Sequence, residues 1–118
     1  MNFFINPRLG AYEGPFALLV DGGSASTSEF LAGGLQDLGR ARIFGSTTAG
    51  AALPSTIDLL PSGDGFQYAI ANYFSTSGRI IEGVGVVPDE EIVLDRDTLV
   101  EGRDPVVEAA VRWITGVK

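Results

Sequence analysis

The sequence has no cysteine and no histidine, and its single lysine is the last residue, Lys118. The missing cysteine excludes disulfides, thiolate nucleophiles and cysteine–zinc sites, and the missing histidine removes the commonest general base and metal ligand. Eight basic against fifteen acidic residues give a formal net charge of −7, which argues against nucleic acid as a partner. No hydrophobic run is long enough to span a membrane, and no signal peptide is visible.

The residues that are present have the composition of one globular domain covering residues 1–118. Hydrophobic residues make up 45% of the chain and charged residues 19%, which is typical of a soluble protein with a packed core. Residues 1–14 carry the weakest pattern because Asn6-Pro7 interrupts the apolar run Phe3–Ile5. We interpret them either as an edge strand or as a stub of a longer protein.

The region from Phe16 to Gly50 has the pattern of a strand, a glycine turn, a helix and a second strand. The apolar run Phe16–Val20 predicts a buried strand, and Arg40–Phe44 predicts its neighbour. Between them, Ser26 followed three positions later by Glu29 has the spacing of a helix capping box. This order predicts a parallel strand–helix–strand unit.

The rest of the chain predicts a hairpin, a short strand and a terminal helix. Two extended runs, Ser55–Leu60 and Phe66–Phe74, flank the turn sequence PSGDG. Ile92–Leu94 predicts a short last strand. Asp104-Pro105 is typical of a helix start, with Asp as the cap and Pro at the first helical position. The spacing of apolar residues predicts that this helix buries Val107, Ala110, Val111 and Ile114.

The serine cluster at the start of the first helix is the candidate functional site. A serine at a helix N-terminus lies beside free N–H groups and the positive end of the helix dipole, which can hold the oxyanion of a tetrahedral intermediate. Ser26 also fits two other interpretations, a simple helix cap and part of a phosphate site. The phosphate site lacks the lysine of the GxxxxGK[ST] pattern. The local pattern leaves capping and catalysis open.

Four separated motifs resemble the core of the tail-specific, or carboxyl-terminal processing, peptidases. They stand at Gly23–Glu29, Gly45–Gly50, Ala71–Arg79 and Gly83–Asp89, in the same order and at similar spacing. The resemblance implies an α/β fold, a crotonase- and Clp-protease-like spiral of strand–helix units. This chain would be a partial domain of it, with a β-hairpin and a C-terminal helix. It also implies hydrolysis of peptide bonds through an acyl-enzyme on serine.

The resemblance assigns roles to individual residues. Ser26 stands at the position of the nucleophile, and the backbone N–H of Thr27 at that of an oxyanion donor. Ala51 stands where these peptidases have the lysine of a Ser/Lys dyad, so that dyad is absent. A branch nearer the tricorn protease core uses instead a histidine from an upstream segment, with a glutamate beside the GxGxxPD motif. Glu82 fits the place of that glutamate.

These departures predict a chain without its own general base, and we expect it to be nearly inert in isolation. We therefore interpret it as the C-terminal part of a longer catalytic domain, whose upstream half would bring the base and a second oxyanion donor. The resemblance implies a peptide or protein substrate, no cofactor and no metal. It favours an extracytoplasmic or periplasmic parent protein, although the sequence leaves the compartment open. Apolar surface left by a missing half would favour a homo-oligomer.

Two alternatives to a peptidase remain at this point. The first is a catalytically inactive, peptide-binding relative of the same fold, in which the extended run Ser55–Leu60 would pair with a peptide strand. The second is an enzyme of the crotonase type that shares the spiral fold and would bind a thioester. Only the likeness of folds supports this second alternative.

Overall fold

The structure, a computed structural model, describes Asn6 and residues 8–116. The predicted edge strand over Phe3–Ile5 lies outside the described residues. Within them, no helix combines the length and apolar character needed to cross a membrane. The elements in chain order are β1 (Ala17–Val20), α1 (Thr27–Asp37), β2 (Arg42–Gly45), β3 (Ser55–Leu59), β4 (Gly65–Ala69), β5 (Glu90–Glu91), α2 (Arg96–Val100) and α3 (Pro105–Thr115).

The centre of the fold is a three-stranded sheet in the order β1-β2-β5, with both pairs of strands parallel. Leu18 lies opposite Ile43 and Val20 opposite Gly45, so the predicted strand–helix–strand unit is confirmed. A Cβ on Gly45 would lie 1.9 Å from the carbonyl oxygen of Val20, so only glycine allows the strands to approach this closely.

Helix α1 packs against the sheet and the loop before β5 through a face of small residues. Ala32, Gly33 and Gly34 are buried, and a Cβ on Gly33 would lie 2.7 Å from the Cδ1 atom of Ile81. Ile43 and Ile81 complete the core on this side. The small face therefore brings the start of α1 close to the loops that follow β2 and precede β5.

The prediction of the last strand at Ile92–Leu94 is wrong, because β5 is formed by Glu90–Glu91. The residue before it fixes this register: the Asp89 carboxylate accepts a hydrogen bond from the Ile43 N–H (2.7 Å), and the Asp89 N–H donates to the Ile43 carbonyl (2.9 Å). These bonds place the two glutamates beside β2, where a sheet edge lets charged side chains reach solvent.

The predicted buried stripe of the terminal helix is also mostly wrong. Helix α3 buries Val106, Ala109 and Ala110 against Phe44, whereas Val107, Val111 and Ile114 are exposed. Apolar residues occupy two adjacent faces of this helix, so periodicity alone did not determine which face meets the sheet. Alanines on the inner face allow the closer approach to the sheet.

The predicted hairpin is confirmed, although its strands are shorter than expected. Strands β3 and β4 pair antiparallel with Ile57 opposite Gln67, and they form a sheet separate from the parallel one. Most of their residues are exposed. The hairpin therefore stands apart from the packed core.

Candidate active site

A closed turn after β1 delivers the serine cluster to the start of α1. The Asp21 carboxylate accepts hydrogen bonds from the Gly23 N–H (2.9 Å) and the Ser24 hydroxyl (3.2 Å), and the Ser24 N–H donates to the Asp21 carbonyl (3.0 Å). These short-range bonds are an Asx-type turn. The turn places Ser26 at the N-cap of α1.

Ser26 has an unusual backbone conformation. Its φ is +57°, and among the described residues it is the only one other than glycine with a positive φ. Such a conformation costs roughly 1–3 kcal/mol and persists only where the surrounding structure enforces it, which occurs often at functional sites. The residue is exposed, so the hydroxyl lies at the surface.

The first N–H of α1 lies beside this serine. Thr27 is the first helical residue, and no acceptor for its N–H is found among the residues that the structure describes. This is the expected state of an N–H in the first turn of a helix, and it leaves a donor at the positive end of the dipole. The start of α1 therefore presents an N–H donor beside the candidate nucleophile.

The buried carboxylate of Glu29 holds this region together. The residue is 0% exposed. Its Oε2 accepts from the N–H groups of Ser26 (3.0 Å) and Ala51 (3.0 Å), and its Oε1 from the Thr48 hydroxyl (2.5 Å) and the Gly50 N–H (2.7 Å). Sequence reasoning found the cap contact to Ser26 but missed the bonds to the second loop. The signal available was a carboxylate on a helix face otherwise made of alanine and glycine.

Thr48 extends this network to the third loop, residues 82–87. Its hydroxyl accepts from the Val86 N–H (2.7 Å), and its own N–H donates to the Val86 carbonyl (3.2 Å). A Cβ on Gly85 would lie 2.5 Å from the Thr48 carbonyl oxygen, so glycine is required there. Three of the four motifs found in the sequence therefore meet at one end of the parallel sheet.

Ala51 lies directly beside Ser26. Its carbonyl accepts a hydrogen bond from the Ser26 N–H (2.9 Å), and its side chain is exposed. The structure thus brings the position that resembles the dyad lysine next to the candidate nucleophile, but the methyl group there cannot accept a proton.

Glu82 reaches the same loop from the opposite side. Its Oε2 accepts from the Ala52 N–H (2.6 Å). The peptide between Ala51 and Ala52 is trans, so its carbonyl, which binds Ser26, and its N–H, which binds Glu82, point in opposite directions. Within the described part of the chain no hydrogen bond joins Glu82 to Ser26 directly. The described residues also contain no group of three or more acidic side chains placed to hold a metal ion.

The sequence of residues 5–92 matches peptidase family S41. This chain belongs to that family. The carboxy-terminal-processing protease of Bartonella bacilliformis is 42% identical over 77 residues, which cover 65% of this chain and 18% of that protein. The chain spans only 18% and 19% of the first two curated relatives that it matches.

Solved structures agree with this membership of family S41. The photosystem II D1 C-terminal processing protease is 39% identical and superposes with a TM-score of 0.59, covering 67% of this chain and 20% of that one. The tricorn protease is 25% identical with a TM-score of 0.77, covering 98% of this chain and 13% of that one. The expected α/β fold with a hairpin and a C-terminal helix is confirmed.

Proposed function

We propose that this S41 chain is the core of a serine-type peptidase that hydrolyses peptide bonds through an acyl-enzyme on Ser26. The main support is the geometry of Ser26, an exposed serine with a φ of +57° at the start of α1, beside the Thr27 N–H. Relatives named carboxyl-terminal-processing proteases agree with it. On this proposal the substrate is a peptide or protein cut near its carboxyl end.

The proposed reaction begins when the Ser26 Oγ attacks the substrate's carbonyl carbon and its proton passes to a base. The Thr27 N–H and the positive end of α1 stabilise the oxyanion. The C–N bond then breaks, and the leaving amine takes the proton from the base. Water hydrolyses the resulting ester by the same route and releases a carboxylic acid and free Ser26.

The base comes from outside this chain on the proposal. Ala51 cannot act, Lys118 is the only lysine, and arginine side chains stay protonated. Glu82 fixes the Ala51–Ala52 peptide and, in an arrangement like that of the tricorn branch, would orient a histidine from another segment. Proton transfer contributes about 10²–10⁴-fold to the rate, so the isolated chain is expected to be nearly inert.

A fluorophosphonate probe tests this assignment because it labels only an activated serine. Ala51→Lys places an amine at the residue whose carbonyl holds the Ser26 N–H, and labelling should rise about 100-fold over the unmodified chain. The double variant Ser26→Ala/Ala51→Lys is the control and should take up no probe. An Ala51→Lys chain that keeps its circular dichroism spectrum but labels no faster would count against Ser26 as the nucleophile.

A catalytically inactive peptide-binding protein is the second candidate, and Ala51 is the observation that favours it. The longest natural polypeptide that contains this chain separates the two candidates. Labelling at Ser26 there supports the peptidase, whereas peptide binding without labelling or turnover supports the inactive relative. The homo-oligomer expected from the sequence is tested on the same protein by analytical ultracentrifugation.

A further inference from the structure

Among the residues that the structure describes, none forms a backbone hydrogen bond with the outer edge of β3. The hairpin's ladder bonds join the Leu60 N–H to the Asp64 carbonyl (2.8 Å) and the Ile70 N–H to the Pro54 carbonyl (2.9 Å). Antiparallel pairs alternate between bonded and non-bonded, so the even-numbered residues of β3 bond to β4. The N–H and C=O groups of the odd-numbered residues therefore point away from β4; these are Ser55, Ile57 and Leu59.

This outer edge carries two large apolar side chains that are exposed. Ile57 is 63% exposed and Leu59 79% exposed. A two-stranded hairpin is at most marginally stable in water, and exposed edges of this kind are usually covered or paired with another strand. The chemistry that matches the edge is an extended peptide, since only a strand offers N–H and C=O groups at the same repeat.

The edge also starts close to the candidate nucleophile. Ala51 bonds to Ser26 through its carbonyl, and β3 begins four residues later at Ser55. At about 3.3 Å per residue, the first outward groups lie within roughly 13 Å of Ala51, whose carbonyl oxygen is 2.9 Å from the Ser26 nitrogen. The edge therefore begins in the chain segment that follows directly after the loop bonded to Ser26.

The charged residues of the hairpin indicate which sign of charge the bound peptide should carry. Between Pro54 and Ile70 the only charged residues are Asp58 and Asp64, and no basic residue balances them. The chain as a whole carries a formal charge of −7. A second copy would bring like charges to this edge, whereas a basic segment would complement it.

We propose that the outer edge of β3 binds an extended peptide segment that is apolar and basic, and that the segment joins the hairpin as a third strand. Because this edge follows the loop that bonds to Ser26, the segment would belong to the substrate, and that extension rests on the proposed function. Binding itself involves no chemical step and does not depend on it.

Amide hydrogen exchange followed by NMR tests the proposal on the unmodified chain. The probe is an octapeptide of alternating valine and arginine, with an octapeptide of alternating valine and glutamate as its charge control. The arginine peptide should slow exchange of the Ser55, Ile57 and Leu59 amides about tenfold or more and leave Gln67 and Ala69 unchanged. Its affinity, measured by fluorescence anisotropy, should exceed that of the glutamate peptide about tenfold.

Two proline variants give a matched comparison. Ile57→Pro removes an outward N–H from β3 without breaking a ladder bond, and should weaken binding of the arginine peptide about tenfold. Gln67→Pro makes the same change at the opposite position on β4, where it also removes a bond to the Ser55 hydroxyl. That variant should bind within about twofold of the unmodified chain.

Several outcomes would overturn the proposal. They are equal loss of binding in both proline variants, protection of β4 amides in place of β3 amides, or equal affinity for the two peptides. If ultracentrifugation shows a dimer without added peptide, and hydrogen exchange shows that its β3 amides are protected, the edge pairs with a second copy instead. Failure of fluorophosphonate labelling at Ser26 would overturn the proposed function alone and leave a positive exchange result standing.

Discussion

The loops around Glu29 and the β3–β4 hairpin differ in whether their backbone N–H groups are hydrogen-bonded within the chain. At Glu29 one buried carboxylate accepts from three N–H groups and a hydroxyl, and so fixes the loop that carries Ser26. On the hairpin the outward groups of β3 face solvent. The chain's own hydrogen bonds therefore fix the loop that carries Ser26, whereas the outer edge of β3 is open to pairing with an added strand.

The largest effect is expected from removing the buried acceptor. Glu29→Ala leaves the N–H groups of Gly50 and Ala51 and the hydroxyl of Thr48 without their acceptor, and removes one of the two acceptors of the Ser26 N–H. The free energy of unfolding should fall by about 3 to 5 kcal/mol. Urea unfolding followed by the fluorescence of the single tryptophan measures it.

The matched control for that experiment lies on the hairpin. Asp58 is an exposed acid that accepts one hydrogen bond from the Tyr68 hydroxyl (2.6 Å). Asp58→Ala should lower the unfolding free energy by no more than about 0.5 kcal/mol. Similar losses for the two alanine variants would refute the contrast between the two regions.

A second carboxylate sharpens the comparison through pH. The Asp37 side chain is 5% exposed, and burial would raise its pKa, but hydrogen bonds from Ser75, Ser77 and Arg79 outweigh burial and lower the pKa from 3.8 to about 2. A lowered pKa stabilises the fold above 3.8, and this contribution is lost as the pH falls toward 2.

The variant Asp37→Asn isolates this contribution. It should be less stable than the unmodified chain by about 1 to 2 kcal/mol at pH 7, and most of the difference should be lost as the pH falls from 3.8 to about 2. Urea unfolding at a series of pH values measures both quantities. A difference that stays constant down to pH 2 would contradict the assignment to the ionised carboxylate.

The conformation of Ser26 predicts a smaller effect of opposite sign. Ser26→Gly relieves the strain of a positive φ and should raise the unfolding free energy by about 1 kcal/mol, after the entropic cost of glycine. Ser28→Gly, two residues along in ordinary helix, should lower it by about 0.5 kcal/mol. Thermal unfolding compares them, and two changes of the same sign would argue against strain at Ser26.

The smallest effect is expected on the hairpin edge. Leu59 is 79% exposed, so Leu59→Ser should change the unfolding free energy by less than about 0.5 kcal/mol. The same urea experiment measures it. A larger loss would mean that the side chain is packed against another part of the protein in solution.

Local patterns predicted the elements whose causes are local. Three of these are confirmed and depend on residues within a few positions: the strand predicted at Phe16–Val20 and found at Ala17–Val20, the cap at Ser26 and the Asp104-Pro105 start of α3. The bonds from Glu29 to Thr48 and Gly50 join residues 19 and 21 positions apart, and no periodicity reports such contacts.

Two errors have a related cause. The rotation of α3 depends on which of two apolar faces fits the sheet, and β5 is a two-residue strand fixed by the side chain of Asp89. Both are settled by packing between distant segments. The role of Ser26 stays a prediction, since neither its pattern nor its geometry measures reactivity.

The planar peptide between Ala51 and Ala52 is hydrogen-bonded on both sides. Its carbonyl accepts from the Ser26 N–H, and its N–H donates to Glu82. These two hydrogen bonds oppose rotation of the peptide plane about the chain. A longer side chain introduced at position 51 would therefore start from a backbone that is already fixed on both sides, so its direction would be set by contacts that this chain already makes.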